Sequence, residues 1–448
     1  MTLQIKRIGL AVLMFCSVFA VSARKWTLQE CIDYALKNNI TLRKTILNRL
    51  SANEDYLQSK AALLPSLSAS TTHNATYRPF PETGTGIVSN GYVQSGVDKV
   101  YYNGSYGVSG NWTVWDGNRN RNQIKLNDMA IKKAELDSAT TANSIQEQIV
   151  QLYVQILYSF EAITVHEASL ETSKKNEERG EQFVEVGSMS RADLQQLVSQ
   201  RAQDEYNLVE AQSNLRNYKR QLKQLLQIVD DDDFDIAIPD TTDDMALAPL
   251  PQLQSVYSMA LSQRPEIKNA QMGIDMSNLS IDIAKAQRLP TLSFTASAIT
   301  NTTTMSDNAW GRQMKNNFNV GAGFTLSIPI SDNRAARTSI NKAMIQRDSY
   351  MLDLENERTQ LYSNIENYWI QASINQNKFR AAQVASQSQE ASYELLSEQF
   401  RLGLKNIVEL MTGKDNLLAA KQNEIQSKYM TILYLDLLRF YEDGTLTR

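Results

Sequence analysis

At 448 residues, with 42% hydrophobic and 21% charged side chains and a formal charge of −4, the chain has the composition of a folded protein with no strong electrostatic bias. The acidic balance and the absence of any basic run exclude a general nucleic-acid binder. Two histidines, no P-loop and no dinucleotide fingerprint leave zinc, cofactor or His-based chemistry almost no raw material, so an enzyme is a distant reading.

Residues 1–23 read as a secretory signal peptide. Lys6 and Arg7 start it, Ile8 to Ala20 form its apolar core, and Val21-Ser22-Ala23 supplies the small-residue cleavage site. The apolar run is too short to span a bilayer. Phe15 before Cys16 and the apolar residues after it do not suit a lipoprotein site. Removal of the leader leaves Cys31 alone in an amphipathic helical pattern, which excludes an intramolecular disulfide and points to a small buried hydrophobe. No later stretch has the length of continuous apolar sequence that a transmembrane helix needs, so the choices are a soluble exported protein or a β-barrel.

The mature chain is an internal repeat, 24–229 and 252–448, joined by an acidic segment at 230–251. Ala35-Leu36 returns as Ala260-Leu261, Leu64–Ser68 as Leu289–Ser293, Asn118-Arg119 as Asn333-Arg334, and Gly187 and Leu194 as Gly403 and Leu410. The first-copy loop from Arg78 to Lys99 is about ten residues longer, as expected of a surface loop. In the first copy, helices are predicted near 27–38, 42–62, 118–186 and 190–228, with strands near 65–78 and 104–115. In the second, helices fall near 252–263, 266–288, 333–402 and 406–440, with strands near 290–303 and 317–330. A helix of ~70 residues is ~105 Å long, so such helices must pack along one another. Ile145, Ile149, Leu152, Ile156, Phe160 and Ile163 form a narrow seam, as do Met351, Leu354, Leu361, Ile365 and Tyr368.

The strands alternate cleanly. Tyr106, Val108, Trp112 and Val114 share one face, against Gly107, Ser109, Asn111 and Thr113 on the other; Phe318, Val320, Phe324, Leu326, Ile328 and Ile330 alternate with Asn319, Gly321, Gly323, Thr325 and Ser327. Asp116-Gly117-Asn118 supplies turn and N-cap chemistry between strand and helix. Four strands cannot close a barrel, and an open edge in lipid leaves backbone groups unsatisfied, so closure requires several chains. Eight strands from a dimer usually fill their interior with side chains, whereas the small residues Ser66, Ser68, Ser70, Thr72, Gly321 and Gly323 suit the wider lumen of a twelve-stranded trimer. Tyr77, Tyr101, Tyr102, Trp112, Trp115 and Trp310 are candidate interfacial aromatics. A periplasmic or surface coiled-coil structural or adhesion protein without a pore explains the helical seams equally well, but not these strands. A calcium loop starting at Asp231 fails because Ile236 and Thr242 stand where glycine and glutamate are needed, so 230–251 reads as a solvated acidic linker.

The opening WTLQECIDYALKNNITLR, the pair LPSLS and LPTLSF, the strand-to-helix WDGNR and SDNR, and the turns VEVGSMSRADLQQL and FRLGLKNIVELMTG together resemble the TolC-like outer membrane efflux protein family, in the right order over the whole mature chain. The resemblance implies a homotrimer in the outer membrane, with a β-barrel continuous with a periplasmic α-helical barrel. It implies a passive channel for efflux or type I secretion, without metal or cofactor. Its partners would be a periplasmic adaptor and an inner membrane transporter of RND, ABC or MFS type, and the acidic segment would join an equatorial belt. Gly187, Ser188, Gly403 and Leu404 would form the adaptor-contacting tip, and Tyr106, Val108, Trp112, Val114, Phe324 and Leu326 the lipid-facing barrel surface. Positions that carry a tyrosine, an arginine and two aspartates in a well-studied member are here Phe400, Lys405, Glu409 and Thr412, with Asp193 at the first-copy aspartate. The resemblance therefore implies a gate with fewer polar links, because Phe400 has no hydroxyl, Thr412 no carboxylate and Lys405 no guanidinium fork. Packing of Phe400 would compensate in part, and rings of Glu409 and Asp193 would favour cations.

Overall fold

The computed structural model describes residues 25–80, 88–89, 92–93, 99–229, 234–239, 242–444 and 446; the leader, Pro81 and Asp230 to Asp233 lie outside the described residues. In chain order the elements are β1 (Lys25–Trp26), α1 (Leu28–Asn38), α2 (Ile40–Ala61), β2 (Ser66–Tyr77), β3 (Val88–Ser89), β4 (Tyr92–Val93), β5 (Val100–Trp115), α3 (Arg119–Glu185) and α4 (Arg191–Leu226). Then follow β6 (Asp235–Ile236), α5 (Asp243–Ala246), α6 (Leu253–Gln263), α7 (Pro265–Ala286), β7 (Thr291–Thr303), α8 (Trp310–Asn316), β8 (Asn319–Ser327), α9 (Ala335–Arg401) and α10 (Ile407–Asp443). The two longest helices, α3 and α9, have 67 residues each. Neither contains proline, so neither loses an internal hydrogen bond.

Contacts divide the chain into two units that do not coincide with the sequence repeats; each draws on both copies. One holds Met1–Leu42, Ala142–Ala260 and Tyr362–Arg448, the other Arg43–Thr141 and Leu261–Leu361.

The second unit contains the antiparallel sheet, in the order β2-β5-β7-β8. Its strand-to-helix junctions repeat: the Asp116 carboxylate accepts the Asn120 amide at 2.9 Å and the Asp332 carboxylate the Ala336 amide at 2.7 Å. Each aspartate satisfies an amide in the first turn of the helix that follows. Strand β8 stops at Ser327, short of the expected 330, because Pro329 has no N–H for the ladder. Between β7 and β8 the chain forms α8, where sequence pattern predicted only loop. Thr300 Oγ1 donates to the Met314 carbonyl at 2.8 Å, and Gln313 Nε2 donates to the Thr303 carbonyl at 3.0 Å, so α8 is fastened to β7.

In the first unit, α1 opens with a reciprocal Thr27–Glu30 capping box, and Cys31, Ile32 and Ala35 form its buried face. Burial pushes the Cys31 thiol up to about 12, with the Glu30 charge adding to it, so it is an inert core group as expected. The described part of the acidic segment is not a free linker. Asp235 and Ile236 pair in parallel with Lys25 and Trp26, Tyr153 donates its hydroxyl to the Ala237 carbonyl at 2.6 Å, and Lys219 and Lys428 pair with Asp235 and Asp243 at 2.8 and 3.0 Å. Gln376 Nε2 caps the Ala246 and Ala248 carbonyls, and Ala246, Phe379 and Ile432 form a buried cluster. The strip reads as polar in sequence because its attachments are backbone groups and paired charges.

Candidate functional site

Two places concentrate chemistry: the faces of the sheet, and the ends of the helical hairpins. Ladder register shows how completely the strand alternation carries across all four strands. Ser68, Ser109, Ser297 and Gly321 form one row, and Ser70, Gly107 and Ile299 the next on the same face. The opposite face carries Ala69, Val108, Ala298 and Val320 in one row and Trp112, Phe294 and Phe324 in another, followed by Leu292 opposite Leu326. The Phe294 and Phe324 rings lie 4.9 Å apart. Val108, Trp112, Phe324 and Leu326 are exposed on this apolar face.

The other expected lipid-facing residues are placed differently. Tyr106 is half-buried, stacked edge-on between His73 and Trp310, whose ring centroids are 5.2 and 6.0 Å away, and it accepts the Trp310 indole N–H at 3.4 Å. Val114 sits at a register shift, and Trp115 takes the position opposite Leu292 that strict alternation denies it. Tyr101 pairs with Thr76 on the polar face and lies under Arg78, 5.2 Å from the ring centre.

The tip is built twice by one device. In the first hairpin Gly187 has φ +75°, and the amides of Ser188 and Gly187 donate to the carbonyls of Phe183 and Val184 at 2.8 and 3.1 Å. In the second, Gly403 has φ +72°, and the amides of Leu404 and Gly403 donate to Gln399 and Phe400 at 2.9 and 3.0 Å. Both are Schellman turns, which need a residue free of a Cβ at the left-handed position. Ser190 then caps α4 by accepting the Asp193 amide at 3.1 Å, and Asn406 caps α10 in a reciprocal box with Glu409. Leu404 is exposed, while Phe400 is buried with Leu197, Ile407 and Leu410, its ring 6.0 Å from Phe183.

The expected charged gate residues do not meet one another across the hairpins within one chain. Lys405 Nζ donates to Glu409 Oε1 at 2.7 Å inside its own turn, and the Asp193 carboxylate accepts the Ser190 hydroxyl at 2.8 Å. That ammonium, and then the Asn406 amide, hold the Glu409 carboxyl below the ordinary range. The Thr412 hydroxyl donates to the Val408 carbonyl.

Among the described residues, a charged link between the hairpins lies further along the helices, at positions that no sequence motif marks: Asp204 of α4 is paired with Lys414 of α10, and Ser173 of α3 donates to the same carboxylate. In a chain rich in helix carboxylates and lysines, no local pattern distinguishes these two from solvated neighbours.

The profile of the outer membrane efflux protein family matches residues 31–226 and 256–433. The chain belongs to that family. This efflux protein is similar to the probable efflux pump outer membrane protein TtgC of Pseudomonas putida, with 24% identity over 405 residues, 88% of this chain and 78% of that protein. It is similar too to the outer membrane protein TolC of Escherichia coli, with 23% identity over 424 residues, 92% of this chain and 81% of that one. Among solved structures, the Campylobacter jejuni CmeC outer membrane channel shares the fold at a TM-score of 0.77 and 18% identity, over 93% of this chain and 86% of that one. A membrane protein from Pseudomonas aeruginosa does so at 0.76 and 17%, over 93% and 92%. The efflux protein is thus an outer membrane channel of the TolC-like fold with a large periplasmic portion, and its family is one of channels rather than of enzymes.

Proposed function

We propose that three copies of this efflux protein close one twelve-stranded barrel, with the serine, threonine and glycine face lining water and the valine, tryptophan, phenylalanine and leucine face in lipid. The carrying observation is the separation of the two faces in register across four strands, in a sheet that ends at β2 and β8 among the described residues. Neither end of such a ladder can be left in hydrocarbon, and pairing between copies satisfies both. Small hydroxyl-bearing walls offer hydrogen bonds without filling the lumen, which suits passive conduction.

On this reading the long helices line a periplasmic duct that accepts cargo from an inner membrane transporter of RND, ABC or MFS type, for efflux or type I secretion. Gly187, Ser188, Gly403 and Leu404 present the tip to a periplasmic adaptor. Its gate is held by few polar links, with packing of Phe400 compensating in part, and rings of Asp193 and Glu409 beside Lys405 favour cations at the mouth. Residues 1–23 are the leader that directs export.

Arginine substitutions on opposite faces test the reading. Val108→Arg costs about 2–4 kcal/mol near mid-membrane and lowers the yield of assembled barrel, whereas Thr325→Arg assembles and changes conductance. Equal assembly of the two variants contradicts the face assignment.

A further inference from the structure

One ion pair at the helical end is nearly sealed from water: Asp204 is 1% exposed and Lys414 4%. Three helices of the two hairpins meet in it, and the fourth, α9, lies beside it. Ser173 and Ser169 of α3 donate to the two carboxylate oxygens, the latter at 3.3 Å, and Lys414 reaches across from α10. Beside it Asn176 of α3 donates to the Tyr393 hydroxyl of α9 at 3.2 Å, and Gln200 of α4 to Asp415 of α10 at 3.1 Å. Toward the turns follows the apolar cluster of Leu197, Phe400, Ile407 and Leu410.

A buried ion pair gains little over apolar packing of the same volume, yet removing one partner strands an uncompensated charge. Such a pair contributes less to net stability than to a unique alignment. Asp204 is satisfied at one axial offset only, because a slip of one helical turn, about 5.4 Å, separates it from Lys414. The exposed Lys405–Glu409 contact lies within one turn of one hairpin and has no such reach.

We propose that Asp204 and Lys414 are positioning residues that lock the α3–α4 hairpin to the α9–α10 hairpin and thereby set the resting aperture of the tip. This rests on reading the tip as the closing end of the duct. The hairpins then move as one block while the pair is intact, and slide past each other once it is broken.

The test is single-channel current through the purified full-length protein in planar bilayers, with assembly followed in parallel as the trimer band on unheated gels. Asp204→Asn and Lys414→Met each raise mean unitary conductance roughly threefold or more in assembled protein, while Lys414→Arg, which keeps the charge, stays near wild type. The double variant Asp204→Asn with Lys414→Met has no stranded charge, so it assembles and conducts like the single variants. Wild-type conductance in the assembled single or double variants overturns the proposal. Failure of the double variant to assemble does so too, by making the pair a folding requirement. No current from wild type or any variant contradicts the channel reading itself.

Discussion

The two helical tips have the same turn and different contents. Both close through a Schellman glycine at nearly equal φ, and both restart a helix from a polar cap. Around that shared frame the packing has diverged in a complementary way. In the first hairpin Gly180 of the incoming helix faces Leu197 of the outgoing one, and a Cβ on Gly180 would come within 2.5 Å of the leucine Cδ1. At the equivalent places of the second hairpin the leucine is on the incoming helix and the glycine on the outgoing: a Cβ on Gly413 would lie 2.6 Å from Leu396 Cδ1. The repeat thus conserves backbone geometry, which one glycine can specify, while large and small residues trade places across this interhelical contact. What distinguishes the second tip is its buried ring, Phe400, and its fuller cap.

The largest expected asymmetry comes from that ring. Phe400→Ala should destabilise the tip by about 3–4 kcal/mol, and Phe183→Ala, whose ring is only partly buried, by clearly less. Hydrogen exchange of the amides at the starts of α4 and α10 reads both; equal losses would erase the distinction. Turn glycines should instead behave alike. Gly187→Val and Gly403→Val each cost at least about 1–2 kcal/mol, since a β-branched residue is strained at positive φ, with barrel assembly intact and crosslinking to the adaptor impaired. Normal export by both would contradict a tip role.

Capping gives a smaller, again unequal, effect. Asn406→Ala should lose about 1 kcal/mol and Ser190→Ala somewhat less, because only the former breaks a reciprocal box. The Lys405 contact, and after it the box, also makes the second tip acid-sensitive. Its Glu409 carboxyl has a lower pKa folded than unfolded, so the stabilisation is present above the unfolded pKa and is lost as pH falls through the folded one. Protection of the amides at the start of α10, corrected for intrinsic exchange rates, should therefore fall in acid, and Glu409→Gln should remove that dependence. Smallest of all is Lys405→Ala: its i,i+4 pair with Glu409 is solvent-exposed and screened, so the melting temperature should stay near that of wild type.

Strands and long helices were legible from the chain because their periods are local; two rows of alternating residues assign faces without knowledge of any partner. Turn glycines were legible for the same reason, since a positive φ is a property of one residue. Three things were not. The short helix α8 has too few residues for a period, and its attachment is Thr300 and Gln313 bonding to backbone. Residues 234–239 look solvated by composition and are held by a two-residue parallel pairing with Lys25 and Trp26. Asp204 and Lys414 meet only because two hairpins more than 200 positions apart pack together, and that distance erases any local signal.

The most direct test of the account places single cysteines on adjacent residues of β8 and records bilayer current while a membrane-impermeant thiol reagent is added. Cys31, buried with its thiol pushed up to about 12, adds no background. Thr325→Cys should show stepwise block as the lumen is modified, and Phe324→Cys, facing lipid, should show none. Block at Phe324→Cys with silence at Thr325→Cys, or no modifiable current in either, would contradict a water-filled barrel lined by the small polar face.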